Sequence, residues 1–189
     1  MRLRTRKVLG VVIAAGSLLA SVGAAGLAGS AAASARGQAL KTGLKVFVIP
    51  KNLGNSYFTT ADSVKSGGAL LALKQLGETG AETSGTTDTP ASQLPVIQAD
   101  IAKGANALII SATDPTALCP TLDRAMKAGV TVVTYDSDAP TCRTLFVNQA
   151  TAQGIGDIEV DIIAKEIGDA GQIAIVSASA SDTNQNTWI

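Results

Sequence analysis

The sequence contains no histidine, few aromatic residues and only two cysteines. Of its 189 residues, 3% are aromatic and 16% are charged. Without histidine, and with two cysteines, a zinc finger or a histidine-ligated metal site is excluded, and we expect no metal and no cofactor. Lys+Arg and Asp+Glu balance at 15 each, which argues against a strongly basic nucleic-acid binder. The 46% apolar residues indicate a packed core and not a disordered chain.

The N-terminus combines a basic start with a long uncharged segment. Four basic residues lie at positions 2–7, and apolar and small residues then continue to Ala-Ser-Ala at 33–35. This arrangement is typical of a secretory signal peptide, so we predict one at 1–35 and an exported, periplasmic or extracellular cell-envelope protein. An uncleaved membrane anchor stays the alternative, because the run is long enough to span a bilayer. No cysteine directly follows the run, so nothing in the sequence supports a lipid anchor.

From residue 44 onward, short apolar runs alternate with segments of helical spacing. The runs predict strands at 45–50, 107–112, 130–135, 144–147 and 173–178, with a weaker one at 82–87. Apolar residues three or four apart predict helices at 58–76, 92–104, 114–129 and 152–168, and a helix start at 184–189. Such alternation predicts an α/β fold, with a parallel sheet covered by helices on both faces.

Polar side chains follow the predicted strands at their carboxyl ends, where α/β sheets bind ligands. Amides, carboxylates and a lysine beside aromatic rings suit a polyhydroxyl ligand, since they can pair with its hydroxyls while a ring covers its C–H groups. Each residue also has a structural interpretation: Lys51 as an exposed lysine, Asp136 as a loop cap, and either Tyr57 or Phe58 as core. The candidate ligand-binding residues are Lys51, Asn55, Phe58, Asp136, Asn184 and Gln185.

The Asp-Ser-Asp at 136–138 also resembles the D-x-D of phosphatases with an aspartyl nucleophile and magnesium. That chemistry needs further acidic residues for the metal and a lysine for the phosphate. Here Ala-Pro-Thr at 139–141 follows in place of the usual Gly-Thr, and the motif follows the fourth strand instead of the first. The absence of histidine also disfavours catalysis. We therefore expect a binding protein and not an enzyme, and keep a phosphatase-like enzyme as the alternative.

Cys119 and Cys142 are the two cysteines of a chain that we expect to be exported. An even number in an oxidising compartment favours a disulfide. Both positions fall at the carboxyl edge of the predicted sheet, one in the first turn of a helix and one in a loop. The bridge is therefore geometrically plausible, and two buried thiols are the alternative.

Four segments together resemble the type I periplasmic sugar-binding proteins of ABC importers, in the rhamnose-binding and autoinducer-2-binding branch. They are VFVIPKNLGNSYF at 46–58, ALIISATDPTALCPTLDRAMKAGVTVVTYDSD at 107–138, CRTLFVNQA at 142–150 and TNQNTWI at 183–189. The resemblance implies a flavodoxin-like sheet, two lobes that close on a sugar by hinge motion, a membrane permease as partner, and a monomer. Transcription regulators built on the same lobes begin with a helix-turn-helix. This chain begins with a predicted signal peptide instead, which disfavours that class.

The resemblance also assigns the pocket and the domains. The autoinducer-2 branch uses a lysine after the first strand, the first aspartate of D-S-D and an Asp-Gln pair, which match Lys51, Asp136 and Asn184-Gln185. The amide at 184 fits the rhamnose branch, whereas the paired cysteines resemble the autoinducer-2 branch. We expect rhamnose or a similar sugar, with autoinducer-2 as the alternative.

The domain boundaries follow from the same resemblance. A linker is expected at 36–43, an N-terminal sugar-binding lobe at 44–150, and a crossover helix with an incomplete start of the second lobe at 151–189. Trp188 and Ile189 are an apolar pair in what resembles a first helical turn, and so little chain after residue 168 makes no core of its own. We therefore expect a C-terminally truncated chain, unless the last strand joins the edge of the sheet.

Overall fold

The computed structural model describes residues 41–189, so the predicted signal peptide and most of the predicted linker lie outside the described residues. Within them the protein is built on a parallel five-stranded sheet, and every neighbouring pair of strands is parallel. The strand order is β2-β1-β3-β4-β5, which is the flavodoxin-like order. The strands are β1 (Lys45–Ile49), β2 (Thr79–Glu82), β3 (Ala107–Ile110), β4 (Thr131–Tyr135) and β5 (Leu145–Val147).

In the described part of the chain, six helices connect and follow the strands. Side-chain caps start several of them: the Asp114 carboxylate accepts from two backbone N–H groups at the start of α4, with Pro115 in the first position, as the sequence predicts. Thr89 and Thr151 cap α3 and α5 in the same way. The helices are α1 (Ser56–Asp62), α2 (Ala69–Gln75), α3 (Pro90–Ala102), α4 (Pro115–Lys127), α5 (Ala152–Ile167) and α6 (Thr183–Trp188).

The two faces of the sheet are buried in separate cores, because side chains alternate along each strand. On one face, Phe47 and Ile49 of β1 join a cluster that includes Ile97 of α3 and Leu118 and Leu122 of α4. On the other face, Val46 and Val48 pack with Leu73 of α2. Helices therefore cover both faces, and the predicted α/β fold with a parallel, flavodoxin-like sheet is confirmed.

The single helix predicted at 58–76 is wrong, because the segment forms α1 and α2 with a break between them. Gly67 has a φ of +83°, which glycine adopts readily. A Cβ on Gly68 would lie 2.2 Å from the carbonyl oxygen of Ala61, so the chain folds back on α1 too closely for a side chain there. Apolar residues keep a helical spacing across the break, so the sequence pattern predicts one continuous helix.

Three other local predictions differ from the structure. The weak strand expected at 82–87 lies earlier, at β2, and α3 begins at Pro90 after the Thr89 cap instead of at Ser92. Residues 173–178 form no strand, although their sequence is apolar and rich in Ile and Val. No strand in the described part of the chain pairs with this segment, and Val176 is 93% exposed. A segment forms a strand only where a neighbouring strand completes its backbone hydrogen bonds, so the apolar sequence at 173–178 is not sufficient to make one.

Across residues 41–189, none of the helices has both the length and the apolar character needed to cross a membrane.

Candidate ligand-binding site

The site lies at the carboxyl edge of the sheet, where β1, β3 and β4 end side by side. Lys51 follows β1, Ser111 follows β3, and Asp136 directly follows β4. The strand order changes direction between β1 and β3, since β2 lies on one side of β1 and the later strands on the other. Such a switch point opens a crevice in which α/β proteins bind ligands.

Lys51, Asp136 and Asn184 meet in this crevice, although the sequence separates them widely. The Lys51 Nζ lies 3.7 Å from Asp136 Oδ2 and donates to Asn184 Oδ1 at 3.3 Å. The Asn184 amide in turn donates to Asp136 Oδ1 at 2.9 Å. Lys51 is 3% exposed and Asp136 is 8% exposed, so the three polar groups are held in one arrangement by one another.

Asp136 is further fixed by its backbone and by a hydroxyl. Its φ is +57°, in the left-handed region that aspartate and asparagine tolerate better than most residues. The Ser111 hydroxyl donates to Asp136 Oδ2 at 2.7 Å. The backbone conformation after β4 and the Ser111 hydroxyl after β3 therefore fix the orientation of the Asp136 carboxylate.

Asp182, one of the polar residues after the strand predicted at 173–178, was not among the six candidate ligand-binding residues. It is fully buried, and its Oδ1 lies 3.2 Å from Lys51 Nζ, closer than Asp136 does. The only sequence signal was its place in a polar turn before the last helix. Asp88 lies in the same neighbourhood, and burial followed by the charge of Asp182 raises the pKa of the Asp88 carboxyl.

Gln93 of α3 holds together the chain segments that follow β1 and β3, and it was also not among the candidates. Its Nε2 donates to the carbonyl oxygen of Ser111 at 2.7 Å and to that of Pro50 at 3.3 Å. Its Oε1 accepts from the backbone N–H and the hydroxyl of Thr113, each at 3.0 Å. One fully buried side chain thereby joins the chain after β1 to the chain after β3.

Aromatic side chains form one wall beside these polar groups. Phe58 is 4% exposed and Tyr57 is 41% exposed, so one of the pair is core, as expected. The Phe58 ring makes edge contacts with Tyr57 and with Tyr135. The Tyr135 hydroxyl donates to Asp62 at 2.9 Å, and burial raises the pKa of Asp62 to about 6 although this hydrogen bond acts in the opposite direction.

Two predicted site residues make contacts away from Lys51 and Asp136. The Asn55 side chain accepts from the backbone N–H of Tyr57 and caps α1. Gln185 Oε1 accepts from the Ser177 hydroxyl and the Ala178 backbone N–H, both at 2.7 Å. In this structure Asn55 therefore shapes the loop after β1, and Gln185 holds the segment before α6.

A surface cavity of about 240 Å³ opens next to the polar cluster. Its lining includes the polar residues Asp136 and Asn184 and the aromatic residues Phe146 and Trp188. The cavity therefore offers hydrogen-bonding groups and aromatic surface together, which is the combination expected for a polyhydroxyl ligand.

The two aspartates of the D-S-D motif do not converge on one point. Asp138 pairs with Arg143 at 2.7 Å and accepts from Thr134, whereas Asp136 faces Lys51. Although burial acts in the opposite direction, the Arg143 and Thr134 hydrogen bonds hold the pKa of Asp138 below its usual range. Among the described residues no group of three or more acidic or sulfur ligands could hold a metal ion. This arrangement differs from a magnesium-dependent nucleophile site, which needs both carboxylates and more at one ion.

The predicted Cys119–Cys142 disulfide is present, with Cα atoms 5.3 Å apart. It joins α4 to the loop after β4. Cys142 is fully buried and belongs to the larger core, so the bridge fastens the loop that begins at Asp136 to the body of the protein.

Residues 46–189 match the periplasmic binding protein domain. The chain belongs to this family. Among solved structures, it is similar to an ABC transporter solute-binding protein from Clostridium phytofermentas with bound L-rhamnose, at 30% identity and a TM-score of 0.73, over 79% of this chain and 46% of that one. It is also similar to LsrB from Clostridium saccharobutylicum in complex with AI-2, at 30% identity and a TM-score of 0.67, over 77% and 46% of the two chains.

A third relative is a sugar ABC transporter protein from Actinomyces odontolyticus, at 36% identity and a TM-score of 0.57, with coverage of 77% of this chain and 46% of that one. The chain thus spans a little under half the length of these relatives. The matched family and the first of these relatives are described as binding proteins.

Proposed function

We propose that this chain recognises the sugar in an extracytoplasmic solute-binding protein of a carbohydrate ABC importer, with L-rhamnose or a similar neutral sugar as its ligand. The observation that carries the proposal is the set of Lys51, Asp136 and Asn184 at the carboxyl edge of the sheet, beside an aromatic cavity. The L-rhamnose-bound relative supports the choice of ligand. A membrane permease is the proposed partner, and the protein acts as a monomer.

Each of the three polar groups can make a different kind of hydrogen bond to a sugar hydroxyl. Asp136 accepts hydroxyl hydrogens as a charged acceptor, and charge-assisted hydrogen bonds are stronger than neutral ones. Lys51 donates only, while the Asn184 amide both donates and accepts. Trp188 and Phe146 supply apolar surface for the C–H groups and the methyl group of a six-carbon deoxy sugar. In this proposal residues 44–150 form the first lobe, and 151–189 are the crossover helix and the start of the second.

Autoinducer-2 is the second candidate ligand, supported by the AI-2-bound relative at the same identity and by the disulfide. The residue at 184 favours rhamnose. The autoinducer-2 branch has an aspartate at this position, and here its carboxylate would lie against that of Asp136, whereas the Asn184 amide donates to it. Asn55, Phe58 and Gln185 stay proposed ligand contacts, Phe58 through the aromatic wall and the other two through a change in their present hydrogen bonds.

Binding by the 189-residue chain alone is expected to be weak. A small-molecule site generally has about 300–1,000 Å³ and encloses most of its ligand, whereas this cavity has about 240 Å³. Hydrogen bonds made in contact with water mostly replace bonds to water and contribute little net free energy. We therefore expect a dissociation constant for L-rhamnose in the millimolar range.

The test uses Trp188, the one tryptophan of the sequence, which lines the cavity. The fluorescence of the chain is titrated with L-rhamnose, D-glucose and autoinducer-2. We expect a saturable change with L-rhamnose that Asp136→Asn abolishes and that Asp157→Asn, the same change at an exposed position of α5, leaves intact. No saturable response to any of the three ligands, or a response indifferent to Asp136→Asn, would contradict the proposal.

A further inference from the structure

Two carboxylates lie beside the ammonium group of Lys51, and the nearer one is not Asp136. Lys51 Nζ lies 3.2 Å from Asp182 Oδ1 and 3.7 Å from Asp136 Oδ2. Hydrogen bonds from nitrogen to oxygen span about 2.7–3.2 Å, so the ammonium group reaches Asp182 and stops short of Asp136. Both members of the closer pair are buried, where water screens their attraction least.

The Asp182 carboxylate relies on this lysine for compensation. Asp182 directly precedes α6, yet its side chain makes no capping hydrogen bond to that helix, although aspartate at such a position usually accepts from the first turn. Within residues 41–189, neither of its carboxylate oxygens accepts a hydrogen bond, and its ion pair is with Lys51. Because a buried carboxylate needs an opposite charge nearby, the ammonium group is what makes its burial tolerable.

The Asp136 carboxylate, by contrast, has its partners elsewhere. Its Oδ1 accepts from the Asn184 amide at 2.9 Å and its Oδ2 from the Ser111 hydroxyl at 2.7 Å. A carboxylate offers about four acceptor positions, so further positions stay open beside the cavity that Asp136 lines. If Lys51 moved onto Asp136, it would occupy one of them and neutralise the charge that strengthens hydrogen bonds from sugar hydroxyls.

We propose that Asp182 is the counter-ion of Lys51, and that as a positioning residue it keeps the Asp136 carboxylate open and charged for the sugar. The Lys51 ammonium group also donates to Asn184 at 3.3 Å. Since an ammonium group has three donors, one remains for a sugar hydroxyl. The second half of the proposal, the effect on sugar binding, rests on the proposed function.

Asp182 is held in place by the two residues that follow it. The Thr183 hydroxyl donates to the backbone carbonyl of Asp138 at 3.1 Å, and Asn184 donates to Asp136. The carboxylate of Asp182 is therefore fixed at the carboxyl edge of the sheet. The long lysine side chain is the member of the pair that can move, so the charge of Asp182 decides where the ammonium group rests.

The first experiment needs no ligand and measures which carboxylate Lys51 pairs with. Urea unfolding midpoints are compared for Asp182→Asn and Asp136→Asn, each with Lys51 intact and in a Lys51→Met background. With Lys51 intact, Asp182→Asn should lower the midpoint, because a buried ammonium group loses its counter-charge. In the Lys51→Met background the same change should raise the midpoint, because it removes a buried carboxylate that has lost its compensation.

This change of sign is specific to the proposed pair. The Asp136 carboxylate keeps two hydrogen-bond donors without the lysine, so Asp136→Asn should depend less on which residue is at position 51. Coupling of Lys51 to Asp136 that equals or exceeds its coupling to Asp182 would overturn the assignment of the counter-ion.

The second experiment does not require Lys51→Met to fold. Trp188 fluorescence measures L-rhamnose binding by Asp182→Asn and Asp182→Glu, with Asp114→Asn, the same change at the residue before α4, as the control. Asp182→Asn should weaken binding by about fivefold, as for the loss of one hydrogen bond, and the control should bind like the parent. Asp182→Glu keeps the charge and should retain the parent's affinity, even where its extra methylene lowers stability.

The order of the two variants separates charge from shape. Asparagine preserves the shape of Asp182, so parental affinity in Asp182→Asn would overturn the positioning role, whatever Asp182→Glu does. The change of sign in unfolding, with no response of the parent to any sugar, would support the pair of Lys51 and Asp182. That result would count against the proposed function and against the effect on sugar that rests on it.

Discussion

The side-chain amide of Asn184 donates a hydrogen bond of 2.9 Å to the carboxylate of Asp136, across 48 positions of sequence. This bond ties the start of α6 to the end of β4. Since Lys51 contacts both residues, the three side chains share donors and acceptors, and a change in any one of them alters the other two.

Asn184→Asp is expected to weaken L-rhamnose binding by about tenfold, equal to about 1.4 kcal/mol. The new carboxylate would face Asp136, and like charges at this distance repel. Preference should shift toward a smaller, diol-rich ligand such as autoinducer-2. Competition titrations at equal salt and pH measure the shift, with Gln153→Glu, which adds a charge at an exposed position of α5, as the control. Tight autoinducer-2 binding by the unmodified chain, without rhamnose binding, would reverse the ligand assignment.

Gln93→Leu should lower the free energy of unfolding by about 3 kcal/mol, because each buried polar group left without a partner costs about 1–3 kcal/mol. The groups affected are the carbonyl of Ser111 and the N–H of Thr113. Gln98→Leu is the matched control, since Gln98 is exposed on the same helix. Urea unfolding compares the two variants, and equal stabilities would show that the segments after β1 and β3 do not depend on Gln93.

Reduction of the Cys119–Cys142 bridge should lower the free energy of unfolding by about 3 kcal/mol, from the chain-entropy cost of a loop of this size. The cysteines are 23 positions apart. Unfolding is measured with and without reductant, and a Cys119→Ala/Cys142→Ala double variant provides the control, because reductant should leave it unchanged. A wild-type stability indifferent to reductant would contradict the prediction.

Asp62→Asn should stabilise the protein at neutral pH and reduce the pH dependence of its stability. Burial raises the pKa of Asp62 to about 6, above the value of about 3.9 for an unfolded aspartate. The folded state therefore binds the extra proton between these values, and stability falls as pH rises through that window. Unfolding at pH 4, 5, 6 and 7 tests this against Asp161→Asn on the exposed side of α5. A slope unchanged in Asp62→Asn would exclude the Asp62 carboxyl as its source.

The sequence predicted the parts of the fold that depend on local pattern. The strands ending before Lys51 and Asp136, the Asp114 cap and the disulfide required only apolar runs, a capping residue and a pair of cysteines. The break before α2 was missed because it depends on how closely Gly68 approaches Ala61, which apolar spacing does not encode.

The missed site residues have a common physical cause. Gln93 and Asp182 are identified by partners that lie far away in sequence, at Thr113 and at Lys51. In isolation each is an ordinary polar residue near a helix start. Lys51 and Asp136 were found because the end of a buried strand marks them, whereas nothing local marks a side chain whose function comes from what it packs against.

The left-handed backbone of Asp136 limits which residues can take its place. Glycine would remove the steric cost of about 1–2 kcal/mol that a side chain bears there. It would also leave Lys51, Asn184 and Ser111 without the carboxylate they contact, and each buried polar group without a partner costs about 1–3 kcal/mol. Asparagine tolerates the backbone conformation and keeps one side-chain oxygen as an acceptor, so the fold itself restricts residue 136 to aspartate or asparagine before any ligand is considered.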